Sequence, residues 1–509
     1  MAFASILTRA SLGVEAPQVQ VEVHASNGLP ALNIVGLPEA SVKESKERVR
    51  SAILNSGFQL PPKRITVNLA PADLPKSGGR YDVAIALGIL IATEQLQVDV
   101  SNCEFFGELG LNGEVRRIPG VLPAVIQSVQ LARKAVVPAD NLEEAQLAVD
   151  SDSTEGTVLG ASSLLELCSF VLGKGTLPKS TRHSISATEY PYDLSDVVGQ
   201  AQAKRVLELS AVGGHSILMV GSPGSGKSML ASRLITLLPE LSWEQAIERA
   251  SVQSVSGKSL DAGQFFQRQI INPHHTASAA AMVGGGTFPK PGAVSLAHHG
   301  LLFLDELPEF SRHVLEALRE PLESHRVEIS RVNHQVSFPA KFLLVAAMNP
   351  TPSGYFPDDP HGRCKDTPEQ ILRYQKKISG PLLDRIDLHI EVPPVDIDAL
   401  QNRDSHRGES SLVVRERVTQ LHELQMQRQG CLNGELTPTQ IQQLILIDDD
   451  GKKLLQSAVE KMGISARSYH RVLRVSRSLA DMAGSDRVES EHLAEALGYR
   501  SFDRNSGRF

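Results

Sequence analysis

The chain has 509 residues, a length that at about 150 residues per domain predicts two or three domains. Lys and Arg number 51 against 58 Asp and Glu, a net charge of −7, which excludes a simple polycation that coats nucleic acid and confines any polyanion contact to a local patch. Hydrophobic residues make up 41% and aromatics 5%, enough apolar surface for several cores, so global disorder is excluded as well.

No run of about 18 uncharged apolar residues occurs, so no membrane contact is expected. The opening MAFASILTRASLG carries its first charge, Arg9, after its apolar run, the reverse of a secretory signal, and a cytoplasmic protein is expected. Cys103, Cys168, Cys364 and Cys431 are far apart and form no CxxC pair, which argues for reduced thiols over a disulfide framework or a zinc site.

Residues 1–100 alternate β-like runs with turns, in VQVEVHA, LPALNIVGL and RITVNLAP. Between them, EASVKESKERVRSAILNSG after Pro38 spaces Val42, Val49, Ile53 and Leu54 for one buried helical face and stops at Gly57. VAIALGILIATEQL is apolar nearly all round, as a core helix should be. The α/β pattern continues through CEFFGELGL, the helix-like LPAVIQSVQLARK, the strand-like AVVPAD and a last helix near 161–172. Residues 173–192 lose periodicity and collect Gly, Pro, Ser and Thr, the signature of a linker. A second α/β unit, 193–395, opens with the capped helix in DLSDVVGQAQAKRVLELSAVGG; from 396 to 509 only helical patterns remain, with 403–411 polar enough for a loop.

The strand candidate HSILMV runs into Gly221-Ser222-Pro223-Gly224-Ser225-Gly226-Lys227-Ser228, and Met229 continues a helix pattern. This fits GxxxxGK[ST] at every fixed position and in the strand–loop–helix context the motif requires. Without β-carbons at Gly224 and Gly226, backbone N–H groups can curl around phosphate at a helix N-terminus; Lys227 adds a charge for the β/γ-phosphates and Ser228 a hydroxyl for Mg²⁺. ATP with Mg²⁺ is the expected ligand.

A second buried strand, LLFLDE, ends in Asp305 and Glu306 at what should be the nucleotide crevice. Asp305 is assigned to Mg²⁺ and Glu306 to the attacking water, against the plainer alternative of an acidic helix start. FLLVAAMNP ends in Asn349, read either as a γ-phosphate sensor at the same edge or as a turn before proline. Arg385, between Asp384 and Asp387, is open between a surface ion pair and an arginine finger supplied to a neighbouring subunit. In ISARSYHRVLRVSRSLADM, Arg467, Arg471 and Arg474 recur at i, i+4 and i+7, with Val472, Val475 and Leu479 on a different, apolar face; the arginine face is expected to reach a nucleotide.

This combination resembles the AAA+ ATPases, and residues 193–509 resemble their magnesium-chelatase-related branch. NPHHTASAAAMVGGG, PGAVSLAHHGLLFLDELPEF and SGPLLDRIDLHIEVP are similar to the bacterial ComM (YifB-type) proteins, and the likeness covers nearly the whole chain. The resemblance implies an AAA+ parallel sheet with helices on both faces and an all-α C-terminal lid. It also implies a homo-hexameric ring with Arg385 as the trans finger and Arg467 as the lid sensor, and a DNA helicase that promotes branch migration in natural transformation.

Residues 1–172 resemble the family's N-terminal domain, an α+β unit of the ribosomal-protein-S5 and Lon-protease type. In PKSGGRYDVAIALGIL, Arg80 stands where Lon proteases carry the nucleophilic serine, and adjacent Lys76 and Ser77 are not a ready-made Ser–Lys pair, so proteolysis is not expected. Many relatives carry CPCG after the sensor asparagine; here the phrase is NPTPSG and only Cys364 remains, which removes a thiolate zinc site. His274/His275 and His298/His299, if on strands, point to opposite faces and are expected to be hydrogen-bonded residues, not chelators.

Two hairpin candidates would line a ring's pore: GGGTFPKPGAVSLAHHG, offering Phe288 and Lys290, and HRVEISRVNHQVSFPA, bringing Arg326, Arg331 and His334 to one side. Taken singly, each of these charges is better explained as a solvated surface residue than as a DNA contact. The expected activity is that of an ATP-driven motor on single-stranded or branched DNA; a motor that remodels protein, as a metal-chelatase motor subunit or a chaperone does, is the alternative.

Overall fold

The first strand is not among the expected elements. Phe3–Arg9 pairs antiparallel with Gln18–Ser26 and parallel with Cys103–Phe105, placing the apolar opening at the centre of a seven-stranded mixed sheet. Arg9 lies within that buried strand, and its Nε and Nη2 meet Glu104 at 2.6 and 2.9 Å in a bidentate pair that Arg133 and Ser128 extend. The sheet order continues through Arg64–Ala70 to Ala31–Val35 on one side and through Lys134–Pro138 to Val158–Ala161 on the other. The computed structural model describes residues 3–149, 157–179, 190–286, 289–331, 334–394, 408–462 and 465–500.

Helix Ala40–Asn55 buries Val42, Val49 and Ile53, but Leu54 is 48% exposed, because the helix offers the sheet a narrower face than the apolar spacing suggested. Helix Asp82–Ala92 is buried almost throughout. Its Gly88 leaves room for Val23, whose methyl would lie 2.6 Å from an added β-carbon. In the expected linker, Gly160 N–H donates to Pro178 O, so residues up to 179 lie along the edge strand; the middle of the linker falls outside the described residues.

The second unit is built on a five-stranded, wholly parallel sheet. Its order is Ile270–Ile271, Leu301–Leu304, Leu343–Met348, Ile217–Val220, Leu388–Glu391. The strands Ile217–Val220 and Leu301–Leu304 are buried at every residue, as apolar runs between two helical layers must be. Beyond 408 every described element is helical; Ser411–Gln429 packs on Ala201–Gly213 and Lys227–Leu237, and Ala466–Met482 buries Val472, Val475 and Leu479. Most of the expected 403–411 loop lies outside the described residues.

The two α/β units share a core. Leu122, Leu147, Leu241, Ala250 and Phe265 form one buried cluster across the junction, with Trp243 against it. Ser254 accepts from Leu122 N–H and donates to the buried Glu144 carboxylate.

Candidate nucleotide-binding site

Where Ile217–Val220 ends, the chain must turn tightly past two other strands. Gly221 N–H donates to Met348 O at 3.2 Å, and a β-carbon on Gly221 would lie 2.4 Å from Val392 O; glycine is required here by close approach. Gly224 and Gly226 have φ of +77° and +93°, the left-handed region that a side chain penalises. Ser222 and Ser225 are buried, Pro223 packs on Gly354, and Met229 is half-buried against the core. Helix Lys227–Leu237 then starts with no side-chain cap, leaving its first N–H groups for an anion.

Lys227 is 8% exposed, and its ammonium donates to Gly221 O at 2.6 Å, Ser222 O at 3.1 Å and Asn349 Oδ1 at 3.2 Å. Burial lowers its pKa, with Asp305 acting in the opposite sense. Ser228 donates to Asp305 Oδ2 at 2.8 Å, which brings together two hard oxygen donors of the kind Mg²⁺ takes. Glu306 has φ of +52°, a costly conformation for a non-glycine residue and one concentrated at functional sites. Its Oε2 lies 3.1 Å from His275 Nδ1, a partner that nothing in the sequence spacing pointed to. Loop, acids and Asn349 therefore meet at the C-terminal ends of three neighbouring strands.

The arginines are elsewhere. Arg385 and Asp387 precede Leu388–Glu391, and Ser216 precedes Ile217–Val220; Ser216 Oγ donates to Arg385 O and to Asp387 Oδ2. Both arginine segments thus lie at the N-terminal edge of the sheet, about 13 Å from the loop at roughly 3.3 Å per residue of strand. Arg385 is 4% exposed; it donates to Pro381 O at 2.6 Å and pairs with Glu323 Oε1 at 2.6 Å, and Arg467 reaches the same oxygen at 3.5 Å. With Arg268, Lys341, Arg471 and Arg474 they line a cavity of about 490 Å³. Within one chain, therefore, Arg467 does not sit over the loop. Arg471 pairs with the buried Asp387. Burial alone would raise the Asp387 pKa, but Arg471, His215 and the Ser216 N–H outweigh it and hold the carboxyl down at about 2.

The histidine pairs do not lie on strands. His299 has φ of +55°, which brings its ring beside that of His298, centroids 3.9 Å apart, and both Nε2 atoms face Glu248 Oε2 at 3.1 and 2.8 Å. Opposite-face geometry is thereby corrected. His298 Nδ1 accepts the Lys341 N–H, which places the proton of the neutral ring on Nε2, facing Glu248; the ligand atoms of Glu248, His298 and His299 all lie within 4.8 Å of one another, close enough to hold a metal ion as well. The bonds from His298 and His299 hold Glu248 well below the usual carboxylate range.

Gly284–Gly285 and Lys290–Pro291 form the first hairpin, with Lys290 exposed; Phe288 lies outside the described residues. Arg326–Arg331 and His334–Pro339 form the second, where Arg331 pairs with His334 in register, Arg326 is exposed, and Val327, Ile329, Val336 and Phe338 are buried.

A parallel sheet in this order, with its phosphate loop and acidic strand end at one edge, defines an ATPase of the AAA+ type. Family models agree: one described as magnesium chelatase, subunit ChlI, matches residues 193–400, one for subunit ChlI of Mg-chelatase matches 21–141, and one for the ChlI C-terminal region matches 408–500. Competence protein ComM of Haemophilus influenzae is 48% identical over 510 residues, covering 99% of this chain and 98% of its own. Protein YifB of Escherichia coli is 46% identical over 505 residues, with 99% and 98% coverage. The magnesium-chelatase 38 kDa subunit of Cereibacter sphaeroides is 26% identical over 229 residues, 41% of this chain and 61% of its own. The chain belongs to the ComM/YifB family of magnesium-chelatase-related AAA+ ATPases. No helix of the described residues is long and apolar enough to cross a membrane.

Proposed function

We propose that the chain is a Mg²⁺-dependent ATP hydrolase that assembles as a homo-hexamer and drives branch migration or unwinding of DNA during recombination in natural transformation. The observation that carries the reading is the split of the catalytic set: Lys227, Ser228, Asp305, Glu306 and Asn349 at one sheet edge, Arg385 and Arg467 at the other. Residues Gly221 to Met229 cradle the phosphates, Ser228 and Asp305 would hold Mg²⁺, which neutralises developing phosphate charge, Glu306 orients the attacking water, and Asn349 senses the γ-phosphate. Arg385 and Arg467 complete the site of a neighbouring chain. Whole-chain similarity to a competence protein supports the assignment to DNA.

The domains are proposed as 1–172, a 173–192 linker, 193–395 and 396–509. The first is of the S5/Lon type without peptidase activity, in keeping with Lys76 Nζ donating to Pro71 O and Arg80 donating to Pro119 O instead of serving a nucleophile.

Lys227→Ala should abolish ATP turnover, and Glu306→Gln should bind ATP yet fail to remodel a labelled four-way junction that the unmodified protein resolves. A second reading, a motor that remodels protein, is favoured by the partial similarity to the magnesium-chelatase subunit. Salt separates the two, since phosphate contacts make log affinity for DNA fall linearly with log salt. ATP hydrolysis without any DNA remodelling or salt-sensitive DNA affinity selects the protein-remodelling motor.

A further inference from the structure

Glu323 stands between the two arginines. Its Oε1 lies 2.6 Å from Arg385 Nη2 and 3.5 Å from Arg467 Nη2, while the Arg385 side chain is 4% exposed and its Nη1 is bound to Pro381 O. In this arrangement Arg385 is turned into its own chain, so reaching a neighbour's phosphate requires it to leave Glu323. The carboxylate competes directly with a phosphate oxygen for the same planar guanidinium.

Glu323 is also mechanically placed. It belongs to the short helix Pro321–Ser324, which passes through one residue, His325 at φ +55°, into the hairpin Arg326–Pro339. The hairpin base is tied to that joint by Ala340 N–H donating to His325 O at 2.8 Å. The hairpin buries Val327, Ile329, Val336 and Phe338, and a single residue separates it from the helix that carries Glu323, so a load on the hairpin is passed to Glu323 through that joint. The side chain of Glu323 is 46% exposed, so it can move without opening a core.

We propose that Glu323 is a positioning residue that latches Arg385 and Arg467 within their own chain and releases them when the Arg326–Pro339 hairpin is engaged by DNA. This rests on the reading that Arg385 acts across a subunit boundary. The latch converts contact at the hairpin into hydrolysis at the adjoining nucleotide, and keeps turnover low when no DNA is held.

The test is steady-state ATP turnover of the full chain, with and without a forked DNA, for the unmodified protein, Glu323→Gln, Glu323→Asp and Arg385→Ala. Glu323→Gln should raise DNA-free kcat by about threefold to tenfold, the scale on which losing one charged hydrogen bond shifts an equilibrium, with the KM for ATP unchanged and the stimulation by DNA reduced in proportion. Glu323→Asp, which keeps the charge, should stay closer to the unmodified protein. A DNA-free kcat for Glu323→Gln equal to or below the unmodified value overturns the latch, as does an unmodified protein indifferent to DNA. Arg385→Ala reports on the underlying reading: turnover lower by a factor on the order of 10³ supports it, and unchanged turnover removes it whatever Glu323 does.

Discussion

Replacing Arg471 by methionine removes the guanidinium from a carboxylate, Asp387, that is 5% exposed. The folded Asp387 carboxyl is held at about 2 against an ordinary 3.8, a difference worth about 2 kcal/mol at 1.36 kcal/mol per pH unit. Breaking a buried pair typically costs about 3–5 kcal/mol. Asp387 keeps its bonds from Ser216 N–H at 3.0 Å and Ser216 Oγ at 2.9 Å, so the loss should fall at the low end, about 2–3 kcal/mol. Urea unfolding followed through the single tryptophan, Trp243, packed on Phe265, measures it. With a slope of about 3 kcal/mol/M the midpoint should drop by roughly 1 M.

The pH dependence gives a second readout. A depressed carboxyl stabilises the fold above the unfolded value of 3.8, and this contribution is lost as pH falls toward 2. In the variant the unpaired buried carboxyl titrates higher and gains protons first. The gap between the two proteins should therefore narrow as pH falls from about 5 toward 3. A midpoint shift under about 0.3 M at neutral pH, or a gap that widens on acidification, refutes the assignment of Asp387 and Arg471 as a buried pair.

Three further outcomes are expected. Gly221→Ala drives a β-carbon to 2.4 Å from Val392 O, and should cost about 1–3 kcal/mol by thermal unfolding while weakening ATP binding in a titration with labelled nucleotide. Ser254→Ala strips a partner from Leu122 N–H and from the buried Glu144, and should destabilise the junction by about 1–3 kcal/mol, read as faster proteolysis there. Equimolar mixing of Lys227→Ala and Arg385→Ala chains, each inactive alone, should restore about a quarter of full turnover if rings exchange subunits and the arginine acts on its neighbour; a mixture that stays inactive counts against that geometry.

The site was legible where chemistry needs a contiguous pattern. A loop that wraps phosphate needs its glycines, lysine and serine at fixed local spacing, so Gly221 to Ser228 stands out in one dimension, as do Asp305 and Glu306 at the end of an apolar run. His275 and Glu323 left no such trace. Their partners Glu306, Arg385 and Arg467 are from about thirty to more than a hundred residues away, and an ion pair closed only by folding imposes no periodicity on the chain. Phe3–Arg9 was likewise hidden: a short apolar run ending in a charge does not announce a central strand, and only Glu104, from a distant strand, neutralises Arg9 in the core.

By itself the sequence determined the local grammar: which runs are buried on both faces, where the phosphate loop turns, which end of the chain is all helix, and which arginines share a helical face. Only the tertiary structure decided the directions. Parallel strands have two distinct edges, and strand order together with the crossover of each helix put the loop at one and the arginines at the other. That separation follows from three-dimensional connectivity and not from composition or spacing, which is why the phosphate loop and its acids lie at one end of the parallel strands and the arginines at the other.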